Sequence, residues 1–189
     1  MRLFDTHMHL DDEQFSGLQD EIIHRAIDAG IIGIVAVGTG LDSSRHVIEL
    51  AERFEIVHAA VGIQPNYVHE AQSDDWKQIE QLATHPSVVA IGETGLDHYW
   101  DWAPLDLQRD YFQRHLALAH QRQLPFIVHM REAKPGAEQK CGTCAEDLLE
   151  QMQRADAGAG IMHSYTGDEA MAASFLKRGM WISFAGMVT

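Results

Sequence analysis

Short apolar segments rich in β-branched residues alternate along this chain with longer stretches whose apolar residues recur at helical spacing. The short segments predict strands and the amphipathic stretches predict helices. The predicted strands cover residues 2–5, 31–37, 57–61, 88–91, 125–128, 160–162 and 181–184. The predicted helices cover residues 18–29, 43–53, 74–83, 105–122, 145–153 and 168–177.

Strict alternation of strand and helix implies parallel strands joined by right-handed crossovers. Both an open doubly wound sheet and a closed barrel fit this order. The polar candidate residues follow the ends of many strands instead of one crevice, and this distribution favours a TIM (β/α)8-type barrel of the α/β class. Seven strands are recognisable and the eighth is missing, whereas a complete barrel runs to about 250 residues. We therefore expect one barrel domain over residues 1–189 that lacks its C-terminal part.

The composition, with 46% apolar and 22% charged residues, is typical of a globular protein. No apolar run reaches the roughly 18 residues of a transmembrane helix. The first ten residues, MRLFDTHMHL, carry charges and histidines where a signal peptide needs an apolar stretch. A cytoplasmic location is expected, and it agrees with the presence of only two cysteines.

The net charge of −14 argues against extended binding to a nucleic-acid duplex, which requires Lys and Arg to neutralise phosphates. Bound divalent cations would nevertheless allow an acidic protein to receive a phosphate group. The twelve histidines are more than a chain of this length needs. Their number is the first indication of metal chemistry.

His7 and His9 directly follow the first predicted strand, in the segment Asp5-Thr6-His7-Met8-His9-Leu10. Side chains alternate between the two faces of a strand, so these two imidazoles point the same way and can bind one metal ion. The alternative is a histidine pair in a polar loop. The position at a strand end favours metal ligands.

Glu93 follows the fourth predicted strand, in the segment Gly92-Glu93-Thr94-Gly95. We expect it in a glycine-flanked turn, where the backbone can approach a ligand closely. Its carboxylate can bridge two cations that histidines hold from either side. Asp97, four residues further on, either orients a metal ligand or caps the local loop.

His129 and Arg131 come at the end of the fifth predicted strand and share one face if the strand continues. His129 is a candidate metal ligand, and Arg131 suits an anionic oxygen through bidentate hydrogen bonds. The alternative for Arg131 is an ion pair with Glu132 or Asp147.

His163 directly follows the sixth predicted strand and is the last candidate ligand. Tyr165, two residues later, either contacts substrate or packs over the rim of the barrel. The candidate ligands thus come from the first, fourth, fifth and sixth strands.

Several segments together resemble the TatD family of metal-dependent deoxyribonucleases, within the amidohydrolase-like barrels. They are DTHMHL at 5–10, GETGLD at 92–97, residues 107–133, HSYTG at 163–167 and ISFAGMVT at 182–189. The resemblance implies a TIM barrel and a hydrolase of phosphodiester bonds, commonly those of DNA. It also implies five metal ligands: His7, His9, Glu93, His129 and His163.

The sequence departs from this family pattern at three places. The family has a further Asp after the eighth strand, as ligand and proton acceptor, and without it we expect weak metal binding and low activity. Gln64 stands where the family has a His; it can hydrogen-bond a substrate oxygen but cannot carry a proton. A loop that is longer than in the family holds Cys141 and Cys144. These cysteines could be a redox pair or half a zinc site, but the favoured interpretation is that they are two incidental thiols.

We therefore expect a deoxyribonuclease that holds two divalent cations, Mg, Mn or Zn, bridged by Glu93. His7 and His9 would hold one cation, and His129 and His163 the other. Metal-activated water would attack the phosphodiester, with Glu93 and Arg131 as catalytic residues. The residues expected to contact substrate, single-stranded DNA or DNA ends, are Gln64, Arg131 and Tyr165.

Two other functions stay open at this point. One is a related hydrolase of C–N or ester bonds, although Glu93 occupies the place where such enzymes often carry a carboxylated lysine. The other is a degenerate, non-catalytic barrel that acts as a binding subunit. A seven-stranded barrel would also expose the edges of its first and last strands. We therefore expect a longer polypeptide, or a partner or second copy that covers the gap, and no membrane contact.

Overall fold

The computed structural model describes residues 2–136 and 142–186, in which strands and helices alternate throughout. The strands are β1 (Leu3–Met8), β2 (Ile31–Val37), β3 (Val57–Val61), β4 (Val88–Asp97), β5 (Phe126–Arg131), β6 (Gly160–Met162) and β7 (Trp181–Ile182). The helices are α1 (Gln19–Asp28), α2 (Leu41–Arg53), α3 (Asp75–Leu82), α4 (Leu105–Arg122), α5 (Cys144–Arg154) and α6 (Glu169–Lys177), and a 3-10 turn covers Glu13–Phe15. None of these helices is both long and apolar enough to cross a membrane.

The seven strands form one parallel sheet in which each strand pairs with the next along the chain, from β1 to β7. This order, with a helix between each pair of strands, is the arrangement of a (β/α) barrel. It confirms the strand number and the parallel sheet predicted from the sequence.

The strands pack on both faces, as a barrel requires. Their outward side chains and the helices form the larger core, and Phe112, Leu148 and Met152 are fully buried there. Small and branched residues form a second cluster on the opposite, inner face: Val35, Val37, Ala60, Ala90 and Ile127. Side chains two positions apart share a face of a strand. The inner face of β5 therefore continues from Ile127 to His129, towards the carboxyl-terminal mouth of the barrel.

β4 continues through Glu93 to Asp97, so the prediction that the strand ends at residue 91 and places Glu93 in a turn was wrong. The glycines of this segment allow β4 to lie against β5 without a side chain between them. A Cβ on Gly95 would come within 2.1 Å of the carbonyl oxygen of His129, and the φ of Gly95 is +126°. The glycines that suggested a turn instead permit close strand packing.

β1 and β7 are the edges of the described sheet, and their surroundings are apolar. Phe4 is 49% exposed, Trp181 is 73% exposed and Phe184 is 64% exposed. The exposed edges agree with the expectation for a seven-stranded barrel. The covering of these edges by more chain, a partner or a second copy stays a prediction.

His115 holds the segment that follows β3 against α4. Its Nε2 accepts a hydrogen bond from the Ile63 amide at 2.9 Å, while its Nδ1 lies 2.6 Å from the Tyr111 carbonyl. The carbonyl can only accept, so Nδ1 carries the hydrogen and the ring is neutral. Burial lowers the pKa of His115 to about 4. A proton on Nε2 would break the contact with the segment that leads to Gln64.

We predict that His115 makes folding sensitive to acid. Between its ordinary pKa of 6.5 and about 4, the unfolded chain binds a proton that the folded chain does not. Its contribution, on the order of 3 kcal/mol, is therefore present above pH 6.5 and lost as the pH falls towards 4. The free energy of unfolding is measured by urea titration for wild type and His115→Gln. The amount by which wild type is more stable than His115→Gln should become smaller as the pH falls.

The matched control for this measurement is His120→Gln, at an exposed position of the same helix. Its unfolding free energy should follow the pH dependence of wild type. A difference between wild type and His115→Gln that stays constant from pH 7 to pH 4.5 would contradict the assignment.

Candidate metal centre

The five predicted ligands meet at the carboxyl-terminal mouth of the barrel. They form two groups that share one carboxylate: His7 and His9 with Glu93, and His129 and His163 with Glu93. Within each group the candidate ligand atoms all lie within 4.8 Å of one another. The structure thus brings together side chains that the sequence separates by up to 156 positions, from residue 7 to residue 163.

Glu93 lies between the two histidine pairs and directs one oxygen at each. Its Oε2 is 3.7 Å from Nε2 of His7 and 3.5 Å from Nε2 of His9. Its Oε1 is 2.9 Å from Nδ1 of His129 and 3.4 Å from Nε2 of His163. Two ligand atoms bound to one cation at about 2.1 Å lie roughly 3.0–3.4 Å apart in octahedral or tetrahedral geometry. The four separations, from 2.9 to 3.7 Å, are close to this spacing.

The histidine pair at β1 points its nitrogens inward. The Nε2 atoms of His7 and His9 are 3.1 Å apart, and the His7 ring stacks on that of His163 at 3.6 Å. His9 Nδ1 lies 3.0 Å from the carbonyl of Val37, which can only accept a hydrogen bond. That bond places the hydrogen on Nδ1 and leaves the Nε2 lone pair for a ligand. The donor set of imidazole nitrogens around a carboxylate suits a transition metal.

Asp97 orients the ligand on β5. Its Oδ2 lies 2.9 Å from His129 Nε2, so His129 presents its other nitrogen, Nδ1, to Glu93. The Oδ1 atom accepts hydrogen bonds from the backbone amides of Tyr99 and Trp100, both at 2.9 Å. Both roles considered for Asp97 therefore hold: it orients a candidate ligand and caps the loop after β4.

The electrostatics of the centre follow from burial and from these contacts. Burial alone would raise the pKa of Glu93, but hydrogen bonds from His129 and His163 bring it well below its ordinary value. Burial alone would lower the pKa of His129, but hydrogen bonds to Asp97 and Glu93 raise it to about 9. Burial lowers the pKa of His7 to about 3. Without a cation, Glu93 is an anion, His129 is protonated and His7 is neutral.

A cleft of about 530 Å³ opens over the centre. Thr39, Gln64 and Tyr67 line it together with four of the five candidate ligands, all except His7. Three acidic residues also line it: Asp11, Asp12 and Glu13. The described lining contains no Lys or Arg. A phosphate would meet mostly negative groups in this cleft unless cations were bound.

Gln64 lies in this cleft, where a substrate contact was predicted. Its side-chain oxygen accepts a hydrogen bond from the Asn66 amide at 2.8 Å, so its amide nitrogen is the group that remains to donate to a ligand. The buried Asn66 donates from Nδ2 to Asp97 at 2.9 Å. Sequence reasoning missed Asn66, because no pattern near residue 66 shows that it reaches the carboxylate behind His129.

Arg131 does not line the cleft. Its guanidinium lies over the ring of Tyr99, 4.4 Å from the centroid, and its side chain is exposed. The alternative ion pair with Asp147 is not formed either, because Arg109 contacts that carboxylate at 2.8 Å. The placement of Arg131 does not support direct contact with an anion bound between the histidines.

Tyr165 is buried. Its hydroxyl donates to the carbonyl of Asp168 at 2.8 Å, and its ring packs edge-on against Phe175. This is the packing role considered for Tyr165 in the sequence. The placement does not support the substrate contact that was also considered.

Cys144 is the first residue of α5 and is buried. Its Sγ lies 3.3 Å from the carbonyl of Leu96, and burial raises its pKa well above the ordinary value of a thiol. Cys141 lies outside the described residues. The pairing of the two cysteines stays untested, and the buried, protonated thiol of Cys144 agrees with an incidental role.

We predict that Asp97→Asn weakens binding of Zn²⁺ or Mn²⁺ by about 10- to 100-fold, because His129 loses the carboxylate that fixes its ring. Titration calorimetry of the metal-free protein measures the change. Asp101→Asn, at an exposed position of the same loop, is the matched control and should bind as wild type does. Equal affinities of Asp97→Asn and wild type would show that Asp97 does not act through His129.

We also predict that cation binding near pH 7.5 releases about one proton. His129 is protonated in the metal-free state, since its pKa is about 9, and must lose the Nδ1 proton to become a ligand. Calorimetry in two buffers with different ionisation enthalpies counts the protons released. A heat of binding that is independent of the buffer would contradict His129 as a ligand.

Comparison with known proteins identifies the family of this chain. The family model described as TatD related DNase matches residues 4–189. An uncharacterized metal-dependent hydrolase of Bacillus subtilis, YabD, is 36% identical, and the match covers 99% of this chain and 70% of that protein. The 3'-5' ssDNA/RNA exonuclease TatD of Citrobacter koseri is 30% identical, with 98% of this chain and 68% of that protein covered.

A solved structure shows the same fold. The crystal structure of YjjV, a TatD homologue from Escherichia coli K12, matches with a TM-score of 0.89 and 29% sequence identity, covering 100% of this chain and 70% of that chain. This match confirms the TIM-barrel type of α/β fold predicted from the sequence, and the family match confirms the predicted class of enzyme. The chain belongs to the TatD-related DNase family of metal-dependent hydrolases.

Proposed function

We propose that this protein hydrolyses phosphodiester bonds of single-stranded nucleic acid at the Glu93 centre, with two divalent cations. The observation that carries the proposal is the shared carboxylate: each oxygen of Glu93 faces its own pair of histidines. A carboxylate in this position can bridge two cations, and paired cations suit in-line displacement at phosphorus. The exonuclease name of the Citrobacter koseri relative supports a single-stranded substrate.

The donor set indicates which cations fit. Each group offers two imidazole nitrogens and one carboxylate oxygen. Imidazole ligands suit Zn²⁺ and related transition metals better than Mg²⁺ or Ca²⁺, which prefer oxygen. Zn²⁺ or Mn²⁺ is therefore favoured over Mg²⁺. Such cations, when bound, lower the pKa of water towards neutrality and offset charge on the phosphate.

The protein's own groups hold and orient the reacting parts. Val37 and Asp97 fix the rings of His9 and His129, so that the nitrogens needed as ligands face Glu93. Gln64 is placed to donate a hydrogen bond from its amide nitrogen to an oxygen of the bound substrate. It cannot accept a proton from the attacking water, so we assign it to positioning alone.

The two other functions are less well supported. A non-catalytic binding subunit has no need for five candidate metal ligands that converge on one site. A hydrolase of C–N or ester bonds would use the same centre. A panel of single-stranded DNA, single-stranded RNA, a simple ester and a cyclic amide separates it from the proposed nuclease, which should cleave only the first two.

We predict that hydrolysis depends on the Glu93 centre. Chelation with EDTA should abolish cleavage of an end-labelled single-stranded oligonucleotide, and added Zn²⁺ or Mn²⁺ should restore it. Glu93→Gln should lower kcat/KM by at least about 100-fold, because loss of a bridging ligand should exceed the effect of losing an outer contact.

The matched control is Glu80→Gln, which changes an exposed carboxylate on α3. Its kcat/KM should equal that of wild type. Cleavage that survives EDTA, or a Glu93→Gln variant as active as wild type, would show that the reaction does not use this centre.

A further inference from the structure

Three aromatic side chains form a surface cluster directly after β4, on the same face of the barrel as the metal centre. The rings of Trp100 and Trp102 are stacked, with centroids 5.0 Å apart and planes inclined by 17°. Tyr99 packs edge-on against Trp100 at 4.8 Å. Trp102 is 49% exposed. We call Tyr99, Trp100 and Trp102 the aromatic platform.

Two cations lie over this platform, Arg131 at the end of β5 and Lys134 in the segment that follows. The Arg131 guanidinium is 4.4 Å from the Tyr99 centroid and 5.7 Å from that of Trp100. The Lys134 ammonium is 5.0 Å and 5.1 Å from the same two centroids. Neither cation takes part in the ion pairs found among the described residues. They are therefore available to an anion, in a chain whose net charge is −14.

The platform is tied to the metal centre through one carboxylate. Asp97 holds the amides of Tyr99 and Trp100 with Oδ1 and contacts His129 with Oδ2. Arg131 follows His129 by two residues on β5, which corresponds to about 7 Å along the strand. That span is comparable with the distance between neighbouring phosphates of an extended nucleic-acid strand. A single-stranded nucleic acid with one phosphate at Glu93 can therefore reach the platform with an adjacent nucleotide.

We propose that the aromatic platform, with Arg131 and Lys134, binds the bases and phosphates of a single-stranded nucleic acid next to the bond cleaved at the Glu93 centre. Exposed aromatic rings beside cations are the usual means of binding unpaired bases without regard to sequence. A duplex keeps its bases stacked and brings a higher charge density, which the acidic protein disfavours. This proposal deepens the proposed function and rests on it for the position of the cleaved bond.

The test measures binding without hydrolysis. The protein in EDTA is titrated with a ten-residue oligothymidylate, and tryptophan fluorescence reports stacking of the bases. The oligonucleotide should quench the tryptophan fluorescence of wild type. Trp102→Ala should bind it about tenfold more weakly, which is the effect expected for loss of one stacked base. Trp102→Phe keeps an aromatic face and should recover most of the affinity.

The matched control is Trp181→Ala, which removes an exposed tryptophan from β7, at the amino-terminal end of a strand and thus away from the mouth. It should bind the oligonucleotide as wild type does. Equal loss of affinity in Trp102→Ala and Trp181→Ala would overturn the proposal.

The cations are tested by salt dependence. Arg131→Gln and Lys134→Gln should each reduce the slope of log K against log salt by about 0.7, the value for one phosphate contact on a single strand. Lys177→Gln, at the end of α6, should leave the slope unchanged. An abasic oligonucleotide of the same length should retain the slope but give no quenching of the platform tryptophans. Quenching by the abasic strand would contradict base stacking.

The results separate this proposal from the proposed function. If wild type binds the oligonucleotide in EDTA but does not cleave it with Zn²⁺ or Mn²⁺, the proposed hydrolysis is contradicted and binding at the platform is still supported. If wild type cleaves, but Trp102→Ala binds the strand as tightly as wild type, the platform is overturned and the hydrolase assignment stands.

Discussion

The structure depends on one buried carboxylate. Glu93 is only 3% exposed, yet the hydrogen bonds around it keep it ionised. An unpaired carboxylate in such a place would cost several kcal/mol, so the surrounding groups must offset its charge. Four imidazoles from β1, β5 and the segments after β1 and β6 surround it. Because those groups come from elements far apart in sequence, the site forms only when β1, β4, β5 and β6 have assembled into one sheet.

The barrel supplies this arrangement through the direction of its strands. All seven strands run the same way, so their carboxyl-terminal ends meet at one mouth. The inner face of β5 carries Ile127 and then His129. Gly95 lets β4 approach β5 closely enough for Glu93 and His129 to be in contact. Packing constraints and candidate chemistry are therefore set by the same strand pair.

Charge is distributed unevenly over this face. The cleft has an acidic rim, so an anionic substrate depends on bound cations to enter it. Arg131 and Lys134 lie at the aromatic platform beside the cleft, not inside it. Asp97 connects the two regions, because one of its oxygens contacts His129 and the other holds the platform's backbone. Under the proposed function, metal cations at the centre and the side-chain cations at the platform would therefore have different roles towards one nucleic-acid strand.

The sequence by itself determined the order of strands and helices, because their hydrophobic periodicities differ, and it identified the candidate ligands, because histidines at strand ends are chemically distinctive. Only the tertiary structure decided what depends on contacts between elements. It showed that Glu93 lies within a strand, since Gly95 packs against β5, and that Arg131 turns to aromatic rings instead of the cleft. Asn66 contacts Asp97 and Tyr165 packs inward because of neighbouring residues that no local sequence pattern specifies. Local patterns encode an element and its exposed face, whereas the direction of a side chain at a rim is set by what the fold places beside it.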